Sequence, residues 1–236
     1  MATNLRPAAE LLTHERPFAR LLAQPGVTEH LELGSDFGFL AFHGGSLEEI
    51  TDEIAVEAAA RSGASVYTVS QPDDQQWHLP SHRVDPADSE RLAAFLDHVE
   101  VAVAVHGYGR VDHWRTVLVG GRARTLAEHV AVHLIPRCLH YEVVAHLDHI
   151  PRELRGLHAD NPINRVRGGG VQVELPPRIR GLSRLFPHSG PGRMPHLEGL
   201  IEGLAGAAVA WPERALRRRL RAETDAQPAW SSARSA

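Results

Sequence analysis

Three side chains have the types and spacing of a metal centre. An apolar run, Phe37 to Phe42, ends in His43-Gly44-Gly45, and a β-branched run ends in Val105-His106-Gly107. If the two runs are neighbouring parallel strands, both imidazoles project at the same sheet edge. Glu48 follows His43 into what reads as the first turn of a helix. Two imidazoles and one carboxylate, with a position left for water, are a common catalytic zinc set. The glycines let the backbone turn sharply beside it. Plainer uses exist for the same residues. A strand-end histidine can be an ordinary hydrogen-bonded residue, and an acid in a first helical turn suits the helix dipole. With 16 histidines in the chain, spacing alone leaves both readings open.

Other residues could supply the rest of a hydrolytic reaction. Glu174, at the end of a glycine-led strand, is a carboxylate that could move the protons a metallohydrolase must move. It is also the outward position of an alternating strand, with Val171, Val173 and Leu175 inward and Gln172 and Glu174 outward. Asn164-Arg165 could clamp a substrate carboxylate, because arginine presents a planar fork with two parallel donors. Arg152, Arg155, Arg167, Arg178 and Arg180 add positive charge nearby. His78, in "WHLPSHRV", is a candidate contact behind the site or to the substrate, and equally a plain loop histidine.

These residues need a sheet to position them. Strands are expected at 37–42, 65–69, 99–109, 116–121, 140–146 and 168–175. Helices are expected at 47–62, 86–99 and 124–135, and as two separate pieces near 196–210 and 212–222. Ser46 and Glu49 have the spacing of a capping box for the first of these. Residues 182–195 read as a Pro/Gly-rich loop. Strands alternating with helices argue an α/β fold: a single domain, residues 1–222, with a mixed, mostly parallel sheet flanked by helices, and a disordered tail at 223–236. The site is then expected at the carboxyl ends of the strands.

Composition narrows the partners. The chain has 236 residues, a formal net charge of −4, 43% hydrophobic and 23% charged residues, values of an ordinary globular protein. Nothing in the charge points to nucleic acid. Cys138 is the sole cysteine, which excludes an internal disulfide and a cysteine zinc cluster. The N-terminus lacks the apolar core of a signal peptide, and no run is long enough for a membrane span. The expected location is cytoplasmic, with no membrane partner. The basic segment "RALRRRLR" at 214–221 reads as a solvated helix face.

"HGGSLEEITDEIA", "VAVHG" and "NPINRVRGGGVQVELPPRIR" together resemble the poly-γ-glutamate hydrolase family, first known from phages. The matching positions are His43, Gly44, Gly45, Leu47 and Glu48; Thr51 and Glu53; Tyr67; His78 with Ser81; His106 with Gly107; Asn164-Arg165; and Val171, Gln172 and Glu174. They span about residues 36–180, in the family's order. The resemblance implies a zinc-carboxypeptidase-like core and one Zn2+ per chain held by His43, Glu48 and His106. It favours Glu174 as general base and Asn164-Arg165 as the carboxylate clamp. The implied activity is hydrolysis of amide bonds beside glutamate-like carboxylates, foremost the γ-glutamyl linkages of poly-γ-glutamate, an acidic substrate. Two alternatives accompany it: a zinc amidohydrolase of small N-acyl or γ-glutamyl amino acids, and a non-catalytic binding module on the same fold. An extracellular polymer sits uneasily with a chain lacking a secretion signal; a phage origin, with release by lysis, would reconcile the two.

Overall fold

The computed structural model describes residues 15–182 and 194–225. A seven-stranded sheet forms its centre: β1 (Thr28–Glu32), β2 (Ser35–Gly45), β3 (Ala64–Gln71), β4 (Val101–Gly107), β5 (Thr116–Val119), β6 (Glu142–Val144) and β7 (Gly170–Leu175), in the order β1-β3-β2-β4-β7-β5-β6. The pairs β2/β3, β2/β4, β4/β7 and β5/β6 are parallel, while β1/β3 and β5/β7 are antiparallel. This is the expected single mixed, mostly parallel sheet with flanking helices.

The central strands are buried on both faces, which is why their sequences are nearly continuous apolar runs. On β2, Phe37, Phe39 and Ala41 face a core shared with α2 (Thr51–Ser62), α4 (Arg124–Leu134) and α5 (Pro195–Asp225). Leu40 and Phe42 face a second core with α1 (Pro17–Leu22) and α3 (Glu90–His98), built around Phe18, Leu21, Tyr67, Leu92 and Phe95. The same split runs down β4, with Val101, Val103 and Val105 to one side and Ala102 and Ala104 to the other. Beyond Ala104 on that second face come His106 and, on the adjoining strand, Gln172 and Glu174. There the apolar covering gives way to polar side chains.

Three expectations change in detail. The edge strand β1 is absent from the sequence reading because "TEHLE" is polar and lies half exposed, with no apolar alternation to announce it. The helix expected from residue 47 begins at Thr51 instead. Ser46 does not cap it: its hydroxyl donates to the carbonyls of Pro72 and Gln75, at 2.7 Å each. The two C-terminal pieces are one helix that runs through Pro212. Pro212 is exposed, so its ring does not intrude on the packed face of that helix. Within the expected loop, residues 183–193 lie outside the described residues, as do residues 226–236 of the expected tail and the side chains of the 214–221 basic run. Among the described residues no helix is long and apolar enough to cross a membrane.

Candidate metal centre and cleft

The parallel neighbours β2 and β4 bring His43 and His106 to the same sheet edge, with ring centroids 5.1 Å apart. A register shift of β2 against β3 between Ala41 and Gly44 bends the strand end at His43. The chain then turns back at once. Gly45 adopts φ +68°, and a Cβ there would land on the Gln71 backbone, so only glycine fits. The Glu48 N–H donates to the His43 carbonyl at 2.8 Å, and Thr51 Oγ1 donates to the Glu48 carbonyl at 2.8 Å. Glu48 therefore sits in a tight turn ahead of α2, not in the helix, and its carboxylate folds back over the strand ends. Ile50 closes the turn in the left-handed region at φ 63°, an unfavourable conformation for a β-branched residue.

The donor atoms converge. His43 Nδ1 lies 2.7 Å from Glu48 Oε1, and His106 Nδ1 lies 3.3 Å from Glu48 Oε2. One ligand atom from each of the three residues falls within 4.8 Å of the others. The opposite nitrogen of His43, Nε2, is 2.8 Å from the Leu79 carbonyl. A carbonyl can only accept, so Nε2 donates to it, and a metal ion at the centre would take Nδ1 in place of the proton shared with Glu48, the usual way a second contact fixes a ligating imidazole. The Gly107 N–H donates to Glu48 Oε2 at 2.9 Å and fixes the carboxylate. Burial works to raise the Glu48 carboxyl, but the charges of His43 and His106 and their hydrogen bonds outweigh it and hold it well below its ordinary pKa. Burial opposes charge on His106 as well, yet Glu48 and Glu174 raise that imidazole above its ordinary value. His106 Nε2 is buried with no hydrogen-bond partner among the described residues. Two imidazoles crowding one buried carboxylate are a nitrogen and oxygen donor set that a divalent cation of the zinc type would complete.

Glu174 stands beside this set. It is the registered neighbour of His106 across the β4/β7 pair and is 4% exposed, so it is not the solvent-facing strand glutamate that alternation also allowed. Burial, with a further push from Glu48, raises its carboxyl pKa against the lowering effect of His106. A carboxyl raised in this way holds a proton more readily than an exposed one. His78 also reaches the centre, its ring 4.9 Å from that of His43, and burial lowers its pKa. His43, Glu48, His78, His106 and Glu174 line one cleft of about 790 Å³, with Arg152 and Arg155 among its other walls.

Asn164 and Arg165 are placed elsewhere. Asn164 Nδ2 donates to the carbonyls of Gly156 and His158, which ties down the loop beside the cleft. Arg165 lies 3.5 Å from Asp85 and 3.7 Å from Asp160, in a neighbouring cleft of about 440 Å³. His82 is common to the walls of both clefts. Several contributors escaped the sequence reading. The Leu79 carbonyl carries no side-chain signal at all. Gln172 stood in the motif but was read as facing outward. Asn161, three residues before Asn164, gave no sign of its role. Arg180, expected only as one of the arginines adding charge nearby, is 7% exposed, packs against Gly107 and donates to the Glu49 carbonyl at 2.9 Å.

Residues 10–191 match the model of the family described as poly-gamma-glutamate hydrolase. Among solved structures, a bacteriophage poly-gamma-glutamate hydrolase superposes with TM-score 0.64 at 20% identity, covering 80% of this chain and 90% of that one. YNDL in its zinc-free apo form gives TM-score 0.63 at 21% identity, covering 80% and 92%. An N-formylglutamate amidohydrolase from Ralstonia eutropha gives TM-score 0.50 at 13% identity, covering 83% and 100%. At these identities the likeness is one of fold. Among curated proteins, none matches this chain.

Proposed function

The chain belongs to the poly-gamma-glutamate hydrolase family, and from that premise we propose that it is a zinc-dependent hydrolase of γ-glutamyl amide bonds. The observation that carries the reading is the buried meeting of His43, Glu48 and His106 with Glu174 as the next side chain along the sheet. In this reading His43 and His106, through Nδ1, and Glu48, through its carboxylate, hold one zinc ion. Zinc, when bound, supplies a Lewis acid for the scissile carbonyl and lowers the pKa of water. Glu174 accepts the proton of the attacking water and returns it to the departing amine nitrogen. Three proteins of similar fold favour the same metal and substrate class: a poly-gamma-glutamate hydrolase, YNDL in a zinc-free apo form, and an N-formylglutamate amidohydrolase.

Substrate carboxylates require cations. Arg152 and Arg155 border the cleft itself. Arg165, across the shared His82 wall, is engaged by Asp85 and Asp160 in a cleft that Glu15 and Asp88 also line, so Arg152 and Arg155 are the cations this reading assigns to the substrate. His78 flanks the bound end. The test is to incubate the zinc-loaded protein with poly-γ-glutamate and, separately, with an N-acyl glutamate and a γ-glutamyl dipeptide. Shortening of the polymer on a sizing column is the expected result. Cleavage confined to the small compounds would replace the polymer with the amidohydrolase reading, and binding of polymer without any cleavage would make the chain a binding module.

A further inference from the structure

We propose that Asn161 and Gln172 are positioning residues that dictate which oxygen of Glu174 is presented to the reaction; the inference rests on Glu174 being the general base. Gln172 Nε2 donates to Glu174 Oε1 at 2.6 Å, and Asn161 Nδ2 donates to Gln172 Oε1 at 3.0 Å. All three side chains are buried, at 3%, 6% and 4% exposure in the order Asn161, Gln172, Glu174.

The direction of this relay is fixed by the backbone. A side-chain amide can be turned either way by its surroundings, since its oxygen accepts and its nitrogen donates. Asn161 Oδ1 accepts from the Ile163 N–H, as the cap of the short turn Pro162–Asn164. Its Nδ2 must then face Gln172, so Gln172 offers its oxygen to Asn161 and its nitrogen to Glu174. Gly156, at φ +64°, lies against the Gln172 side chain where a Cβ would crowd it. The donated bond occupies Glu174 Oε1. Glu174 Oε2 has no hydrogen-bond donor among the described residues, and Glu174 lines the cleft. A backbone N–H in a loop thus sets, through two side-chain amides, the rotation of a carboxylate on β7.

The relay predicts an effect of polarity rather than of shape. Asn161→Asp keeps the oxygen that accepts from Ile163 and the volume of the side chain, but replaces the donor to Gln172 with an acceptor. Gln172 then turns its nitrogen to residue 161 and its oxygen to Glu174, where two oxygens repel. Gln172→Leu removes the amide at similar volume. Each single variant, and the double variant, is assayed for kcat and KM on poly-γ-glutamate, for zinc per chain and for thermal midpoint, beside Glu174→Gln. We expect kcat to fall about 10–100-fold in each single variant, the range for contacts that orient a site residue, with KM and zinc content unchanged. The double variant should fall no further than Gln172→Leu alone, because the charge at 161 acts only through the Gln172 amide. Full kcat in Asn161→Asp, alongside an inactive Glu174→Gln, overturns the relay and leaves the base in place. Some loss of thermal stability is expected from the buried groups left unpaired; loss of kcat together with zinc, or additive losses in the double variant, also overturns the relay. An active Glu174→Gln overturns both the relay and the reading beneath it.

Discussion

At the scale of single residues, the three groups proposed to hold the metal have different supports. His43 is held from behind by a backbone carbonyl, and Glu48 by the Gly107 N–H, whereas His106 Nε2 has no such support. His43→Ala and His106→Ala are each expected to abolish zinc binding and hydrolysis while the far-ultraviolet circular dichroism stays that of the parent; a metal-free variant that still cleaves would contradict the assignment. Glu174→Gln should keep its zinc and lose about 10²–10⁴-fold in kcat, the usual worth of a general base. Far from the site, Cys138 is 1% exposed, and burial pushes its thiol up to about 11. In the unfolded chain the thiol ionises near pH 8.5. The protonated, buried thiol therefore favours the fold fully below about pH 8.5, and that contribution is lost as pH rises toward 11. Iodoacetamide at pH 8 should leave the native protein unmodified and label it rapidly in denaturant; rapid labelling of the native protein would mean that Cys138 is accessible.

At the scale of elements, the strand ends matter more than the helices. Gly45 allows the chain to turn from β2 into the Glu48 loop, and Gly38, earlier in β2, allows α3 to approach: a Cβ at Gly38 would come within 2.9 Å of Val99 Cγ1 and crowd the Phe95 ring. Both Gly38→Ala and Gly45→Ala should destabilise the fold, by about 1–3 kcal/mol from overpacking or strain. They should differ in zinc affinity, which Gly45→Ala lowers and Gly38→Ala leaves alone, as read by chemical denaturation and metal titration. Equal effects of the two on zinc affinity would mean that the turn does not shape the centre. The apolar runs announced β2 and β4 because these strands are covered on both faces, the alternation of Val171, Val173 and Leu175 announced β7, and the His-Gly endings announced where β2 and β4 stop. Helix 47–62 was legible as a helix but not in its start, since Ser46 forms a cap-like pattern with Glu49 while its hydroxyl is committed to Pro72 and Gln75 across the loop. Such long-range competition is invisible to local spacing. The same holds for the neighbourhood of Glu174: Asn161 and Gln172 meet through tertiary folding, and no periodicity links positions in a loop and a strand. Arg165 was legible as a cation, but its place depended on how residues 146–166 pack.

At the scale of the whole molecule, the charge balance is uneven. The chain carries a formal net charge of −4, yet Arg152, Arg155, His82 and His158 border the cleft. If Arg152 and Arg155 hold the proposed polyanionic substrate, its binding should weaken as salt screens the cleft. Raising the ionic strength from roughly 0.01 M to 0.15 M shortens the screening length from about 30 Å to about 8 Å. KM for poly-γ-glutamate is expected to rise over that range with kcat unchanged, and a flat KM would mean that the arginines of the cleft do not engage the substrate. The most direct test of the central claim is the zinc content of the purified protein, measured together with cleavage of poly-γ-glutamate before and after chelation. About one zinc per chain, with cleavage that stops on chelation and returns with zinc, is the predicted result. Cleavage that persists in metal-free protein would contradict it and return His43 and His106 to the role of ordinary strand-end histidines.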